Sequence, residues 1–165
     1  ILALYQLRFP FLWIAKQELL RIPVLGWVLY LTGDIPVVRG NKDSADLMVA
    51  RAVQTLRKGT SVVIFPEGTR TTDGTVGTFR EGAFRVALEA RVALLPIVID
   101  GAFDALPKNK ILFNGKRHIM IRILDVIRPE DYDSLPLTTL LKKTEKMMAE
   151  EHLRLRNENI LLHHG

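Results

Sequence analysis

The sequence contains no cysteine. Disulfide bonds, thiolate metal sites and a cysteine nucleophile are therefore excluded, and the composition fits a reducing compartment. Long apolar runs are missing as well. The most hydrophobic window, residues 22–33, is interrupted by Pro23 and Gly26, whereas a membrane-spanning helix needs roughly 20 apolar residues. Within the 165 residues there is no signal-peptide pattern, internal repeat, low-complexity tract or linker. The Gly-Lys-Ser/Thr of a P-loop is absent, which argues against ATP or GTP. Zinc-finger spacing and aromatic-rich binding motifs are absent too, so nothing supports nucleic acid as a partner.

What is present is a chain of 165 residues, 48% hydrophobic and 25% charged, with a net charge of +5. That composition describes a globular chain, and the strands and helices read below lead to the expectation of a single α/β domain over residues 1–165. The basic excess suits an anionic lipid surface or a phosphorylated substrate.

The stretch around which the chain is organised is Val62-Val63-Ile64-Phe65-Pro66-Glu67-Gly68-Thr69-Arg70. Residues 61–65 are short and β-branched and read as a buried strand. Pro66 cannot donate to a sheet ladder, so pairing is expected to stop there. Gly68 frees the backbone to turn. Glu67, Thr69 and Arg70 would then stand at the mouth of a sheet, where open α/β sheets bind ligands. A carboxylate, a hydroxyl and a guanidinium so placed can grip a phosphate and a hydroxyl together. Spacing alone leaves an ordinary turn, with Glu and Arg paired to each other, as the simpler reading.

The remaining elements follow in order. Ile1-Leu2-Ala3-Leu4 begins in apolar residues without a capping residue. It reads as the middle of an element, so the chain is expected to be truncated at its N-terminus. Residues 11–15 read as a strand. Residues 16–23 and 24–33 read as short helical segments broken at Pro23, and residues 35–40 as an edge strand because of Pro36. Residues 43–58 form an amphipathic helix capped by Asp43 or Ser44, with Val49, Val53 and Leu56 on one face and Gly59 as the stop. Residues 71–78 are an exposed loop. A helix runs from about 82 to 91, with Phe84 and Leu88 in the core and Gly82 admitting the sheet. Residues 93–101 read as a buried strand. Residues 118–126 read as a half-buried strand with Ile119, Ile121 and Ile123 on one face and His118, Met120 and Arg122 on the other. Residues 129–132 make a turn. Residues 137–156 form a closing helix with Leu137, Leu140, Leu141, Met147 and Met148 as its apolar stripe, and the tail from 157 onward is expected to fray.

Phe65-Pro66-Glu67-Gly68-Thr69-Arg70 resembles the third signature block of the glycerolipid acyltransferases. Lys16, Glu18, Pro23, Gly26, Gly33, Ile35 and Arg39 are similar, in order, to that family's second block. Phe79, Arg80, Gly82, Ala83 and Phe84 resemble the run after the third block, and residues 93–101 the apolar, proline-containing fourth. The first block, His-x-x-x-x-Asp, has no counterpart in the 165 residues and is expected upstream of Ile1. The resemblance implies a mixed central sheet wrapped by helices. It implies transfer of a fatty acyl group from acyl-CoA or acyl-carrier protein to the sn-2 hydroxyl of 1-acylglycerol-3-phosphate, with no metal or organic cofactor. Glycerol-3-phosphate or another lysophospholipid as acceptor, or a non-catalytic lipid-phosphate binding module, are the alternatives. Glu67 and Gly68 are the implied catalytic residues; Lys16, Arg39, Thr69 and Arg70 would bind the phosphate. The implied partners are a lysophospholipid, an acyl thioester and a membrane surface. The implied location is the cytoplasmic face, reached peripherally through apolar residues such as Phe9, Phe11, Trp27 and Tyr30, or by an N-terminal anchor.

Overall fold

The computed structural model describes residues 10–23, 25–38, 40–105 and 118–163. The chain divides into two compact units. One comprises Ile1–Gly68 and Glu81–Val92, the other Thr69–Arg80 and Ala93–Gly165.

The first unit is built on a parallel sheet. Strand β1 (Phe11–Lys16) is followed by a 3-10 helix (Gln17–Arg21), helix α1 (Leu25–Thr32), strand β2 (Ile35–Val37), helix α2 (Lys42–Arg57), strand β3 (Ser61–Val63) and helix α3 (Gly82–Ala90). The strand order is β2-β1-β3, with Ile14 opposite Ile35 and Trp13 opposite Val63, both pairings parallel. Pro36 does lie on an edge strand, as its missing N–H requires. Asp34 extends the β1–β2 ladder with its side chain: its carboxylate accepts from the Trp13 amide at 2.7 Å and from the Thr32 hydroxyl at 2.8 Å.

Helix α2 is capped by Asn41, whose Oδ1 accepts from the Ser44 amide at 2.8 Å. This corrects the expectation of Asp43 or Ser44 as cap; Ser44 instead accepts the Val38 amide with its hydroxyl. One face of α2 carries the core: Met48, Val49, Ala52 and Val53 join Ile35 and Val86, with Ile14, Val62 and Ile64 packed around them. Burial of this size supplies the main favourable term in folding. Phe84 is buried, as expected, and Leu88 is half-buried. Gly82, however, admits a helix rather than the sheet: a Cβ there would stand 3.0 Å from Met48 Cε on α2.

Strand β3 is shorter and more open than the pattern predicts. It ends at Val63, and Phe65 remains 41% exposed. Its position at the sheet edge explains this, because β1 is its only partner among the described residues.

In the second unit, β4 (Ile97–Asp100) leads through a single turn of helix, α4 (Ala102–Ala105), and β5 (Met120–Ile123) through another, α5 (Pro129–Tyr132), to the long α6 (Leu137–His163). Strands β4 and β5 pair antiparallel, with Val98 opposite Arg122 and Asp100 opposite Met120. Helix α6 covers the face bearing Val98 and Arg122. Arg122 reaches Glu151 and Glu158 of α6, each at 2.5 Å. The covered half of β5 is thus the one with the arginine, while Ile119 and Ile123 are exposed.

Two further expectations are corrected here. Residues 129–132 form a turn of helix, closed by the Arg128 amide on the Asp131 carboxylate at 2.7 Å, and its Tyr132 is fully buried. The tail does not fray at 157: α6 continues to His163 with Asn159 buried. Of the predicted apolar stripe, Leu140 and Leu141 are buried, and Thr144, His152, Leu155 and Asn159 continue it.

Candidate functional site

Because β1, β2 and β3 are parallel, their carboxyl ends share one edge of the sheet. Lys16 closes β1 opposite Val37. Its Nζ lies 3.1 Å from Glu18 Oε1, with both side chains open to solvent. Beyond Val63 the chain continues through Ile64 to Phe65, whose ring is stacked on Trp13 with centroids 5.8 Å apart. A tight turn follows. The Gly68 amide donates to the Phe65 carbonyl at 3.0 Å, and Gly68 adopts φ +67°, a conformation that costs glycine nothing. Lys16 therefore ends β1, and half-buried Glu67 and Gly68 follow β3, whose carboxyl end lies on the same edge. Arg39 lies outside the described residues.

Thr69 and Arg70 belong to the second unit and are exposed. The Thr69 hydroxyl is 3.4 Å from the Arg70 carbonyl. The loop that follows is ordered by its own side chains. Thr71 Oγ1 accepts from the Gly74 amide at 3.0 Å and donates to Asp73 Oδ1 at 2.9 Å. Thr75 gives Asp73 both its amide, at 2.9 Å, and its hydroxyl, at 2.7 Å. These donors favour the ionised carboxylate. The Thr75 amide is the main cause, then the Thr75 and Thr71 hydroxyls, and together they lower the Asp73 pKa to about 2.

A polar cluster that the sequence reading did not assign stands behind this loop. Asp100, at the end of β4, is only 4% exposed. Asn159 Nδ2 donates to its Oδ2 at 2.7 Å, and His152 Nε2 lies 3.3 Å from Oδ1. Arg156 is 4.0 Å away and donates to the Gly74 carbonyl at 3.0 Å. The signal was available: residues 152, 156 and 159 recur at i, i+4 and i+7, one face of a helix. Hydropathy hid it, because the face is polar. Asp100 on β4 and His152 on α6 are buried side by side, and their pairing ties the helix to the strand.

Glu145 makes a second fixed contact in this unit. Its Oε2 accepts from the amide of buried Phe79 at 2.6 Å, which lowers the Glu145 pKa, with Lys142 assisting.

Comparison with known proteins places the chain in a family. The acyltransferase family profile matches residues 1–100. A 1-acyl-sn-glycerol-3-phosphate acyltransferase of Borreliella burgdorferi is 32% identical over 86% of this chain and 58% of its own length. A chloroplastic 1-acyl-sn-glycerol-3-phosphate acyltransferase of Arabidopsis thaliana is 37% identical over 73% of this chain and 35% of its own. The chain thus spans between about a third and three fifths of the length of the curated relatives it matches. Among solved structures, the 1-acyl-sn-glycerophosphate acyltransferase PlsC of Thermotoga maritima superposes with a TM-score of 0.72. It is 28% identical and covers 87% of this chain and 56% of that one. By the profile match over its first 100 residues, and by relatives up to 37% identical over the aligned stretch, the chain belongs to the acyltransferase family.

Proposed function

We propose that this protein acylates the sn-2 hydroxyl of 1-acylglycerol-3-phosphate, taking the acyl group from acyl-CoA or acyl-carrier protein, without a metal or organic cofactor. The observation that carries the reading is the hexapeptide Phe65–Arg70 leaving the carboxyl edge of a parallel sheet through a glycine turn, in a chain whose relatives bear that activity in their names. Arg70, with a planar fork of donors, is assigned to the substrate phosphate; Lys16, Arg39 and Thr69 are assigned to the same group. Glu67 accepts a hydrogen bond from the glycerol or orients Arg70, and Gly68 sets the turn that presents it. A hydroxyl attacks a thioester only once a base takes its proton, a task suited to an imidazole held by a carboxylate. None of the four histidines in these 165 residues has an aspartate five positions on.

A membrane surface is the proposed setting, since the acceptor is a lipid. Trp27, Tyr30 and Leu31 of α1 are 75%, 80% and 81% exposed and lie at i, i+3 and i+4, an apolar face suited to the interface. No helix among the described residues is long and apolar enough to span a bilayer.

The test is the affinity of a short-chain lysophosphatidate for the wild-type chain and for Arg70→Ala. A charge-assisted hydrogen bond is worth about 1.5–3 kcal/mol, so affinity should fall about ten- to a hundred-fold. Acyl-CoA affinity and the melting curve should hardly move, and Arg70→Lys should recover part of the loss. Equal lysophosphatidate affinity in wild type and Arg70→Ala would remove Arg70 from the site. Transfer assays separate an enzyme from a binding module. Residues 1–165 alone should bind without turnover, and joining them to a segment carrying His-x-x-x-x-Asp should produce phosphatidate. Turnover by residues 1–165 alone would contradict the proposed base.

A further inference from the structure

We propose that Arg156 is a positioning residue for Arg70, a role that rests on the assignment of Arg70 to the acceptor phosphate. The two are linked by the loop between them and by one buried carboxylate. Arg156 donates to the Gly74 carbonyl at 3.0 Å, and behind it Asp100 lies 4.0 Å away. Asp100 is itself fixed by Asn159 at 2.7 Å and by His152 at 3.3 Å. The Asn159 amide nitrogen also reaches the His118 carbonyl at 3.3 Å, so both acceptors near it require a donor at that position and the amide has one orientation. Its Oδ1 is buried without a hydrogen-bond partner, so the asparagine is held by its nitrogen alone. A buried carboxylate needs a cation or donors nearby, and Arg156 is held where it supplies charge inward and a hydrogen bond outward.

The outward bond is what matters for the site. Gly74 adopts φ +82°, and a Cβ there would stand 2.6 Å from Arg156 Nη1 and 3.2 Å from Phe103 Cδ1. The guanidinium therefore occupies the space that a side chain at position 74 would need. From Gly74 the turn runs back to Thr71 through the 3.0 Å amide–hydroxyl bond, and Thr71 is bonded to Arg70. The backbone on the carboxyl side of Arg70 is thus tied to the buried part of its own unit within four residues. An arginine on a free loop would lose backbone freedom on gripping a phosphate; one on a fixed turn has lost it already, and binds more tightly for that reason.

The experiment is a double-mutant cycle read by titration of a short-chain lysophosphatidate into the full chain. Arg156→Ala should weaken binding about three- to ten-fold, with Arg156→Lys intermediate. In an Arg70→Ala background the same change should cost nothing further, because there is no longer a guanidinium to position. Gly74→Ala tests the tie while keeping Arg156 and its carboxylate: it should weaken binding similarly, and the Gly74→Ala/Arg156→Ala double variant should be no worse than either alone. A purely structural Arg156 predicts a lowered melting temperature and an additive loss in the Arg70→Ala background, which would overturn the proposal. So would wild-type affinity in both Arg156→Ala and Gly74→Ala while Arg70→Ala is impaired. Unchanged affinity in Arg70→Ala itself would overturn the phosphate assignment first, and this inference with it.

Discussion

Trp13 and Phe65 lie face to face, their ring planes 7° apart and their centroids 5.8 Å apart. Trp13 is buried within β1 and Phe65 is the last residue before the Pro66 turn, so the stack fixes the direction in which the chain leaves the sheet toward Glu67. Phe65→Ala should destabilise the protein by about 1–3 kcal/mol, from the lost ring contact and part of its apolar burial. It should also weaken lysophosphatidate binding although no charge is removed. Phe65→Tyr should keep both. Denaturant melts and titrations on the three proteins decide it; a stable Phe65→Ala with normal affinity would show that the turn stands without the ring.

Two glycines with left-handed backbones should respond differently to alanine. At Gly101, φ is +79° and a Cβ would stand 2.0 Å from the His118 carbonyl oxygen. At Gly59, φ is +83° but nothing lies within 4 Å. Gly59→Ala should cost about 1 kcal/mol, the conformational term alone. Gly101→Ala must also displace backbone and should cost about 3 kcal/mol or more. Thermal melts of the two variants should rank them in that order by several degrees, and similar melting points would refute the clash.

Asp73 makes the stability of its loop depend on acid. Its pKa in the folded protein is about 2, below the ordinary 3.8, so its contribution is complete above about pH 4 and is lost as pH falls toward 2. Asp73→Asn should be less stable than wild type at pH 5, and the gap should close by pH 2. Glu145, also held low by the Phe79 amide, is present in both proteins and leaves the comparison clean. Chemical denaturation at pH 5, 3.5 and 2 measures the gap; one that stays constant across the series would be incompatible with these hydrogen bonds.

The exposed face of α1 offers an optical readout of membrane docking. The chain has two tryptophans: Trp13 is 5% exposed and Trp27 75%. With anionic vesicles, the emission of Trp27 should shift to the blue, and the shift should vanish in Trp27→Phe. Replacing Trp27, Tyr30 and Leu31 together with serine should reduce vesicle binding at least ten-fold, since each buried apolar side chain is worth roughly 1.5–3 kcal/mol. Undiminished sedimentation of the triple variant with vesicles would place the docking surface elsewhere.

The parts of the fold legible in the sequence are those that hydropathy governs. Residues 11–15 form a short, unbroken apolar run, as a buried strand does. Pro36 announces an edge, and Val49 and Val53 mark the buried face of α2. The Phe65–Arg70 block was legible through its proline and glycine, whose backbone constraints hold in any context. What escaped is burial that hydrogen bonding makes tolerable. Nothing in the pattern joined Asp100, His152 and Asn159, yet each is buried because it is hydrogen-bonded or paired to another. The end of α6 was misjudged for the same reason, since Asn159 ties it to β4. In β5 the isoleucines suggested the covered face, but two glutamates on α6 made Arg122 the better partner.

The first strand of the sheet is its middle strand. Because β1 lies between β2 and β3, a nascent chain makes the central element before either neighbour exists. Phe11 must wait for Ser61, and the core around Met48 and Val49 for Val86 of α3. Everything from Phe11 to Val86 has to leave the ribosome before this core can close, and every strand pairing in it is non-local. Such topologies fold slowly and leave strand edges uncovered meanwhile. The interval after β1 is made and before Ser61–Val63 follows is therefore the one in which a chaperone has most to protect.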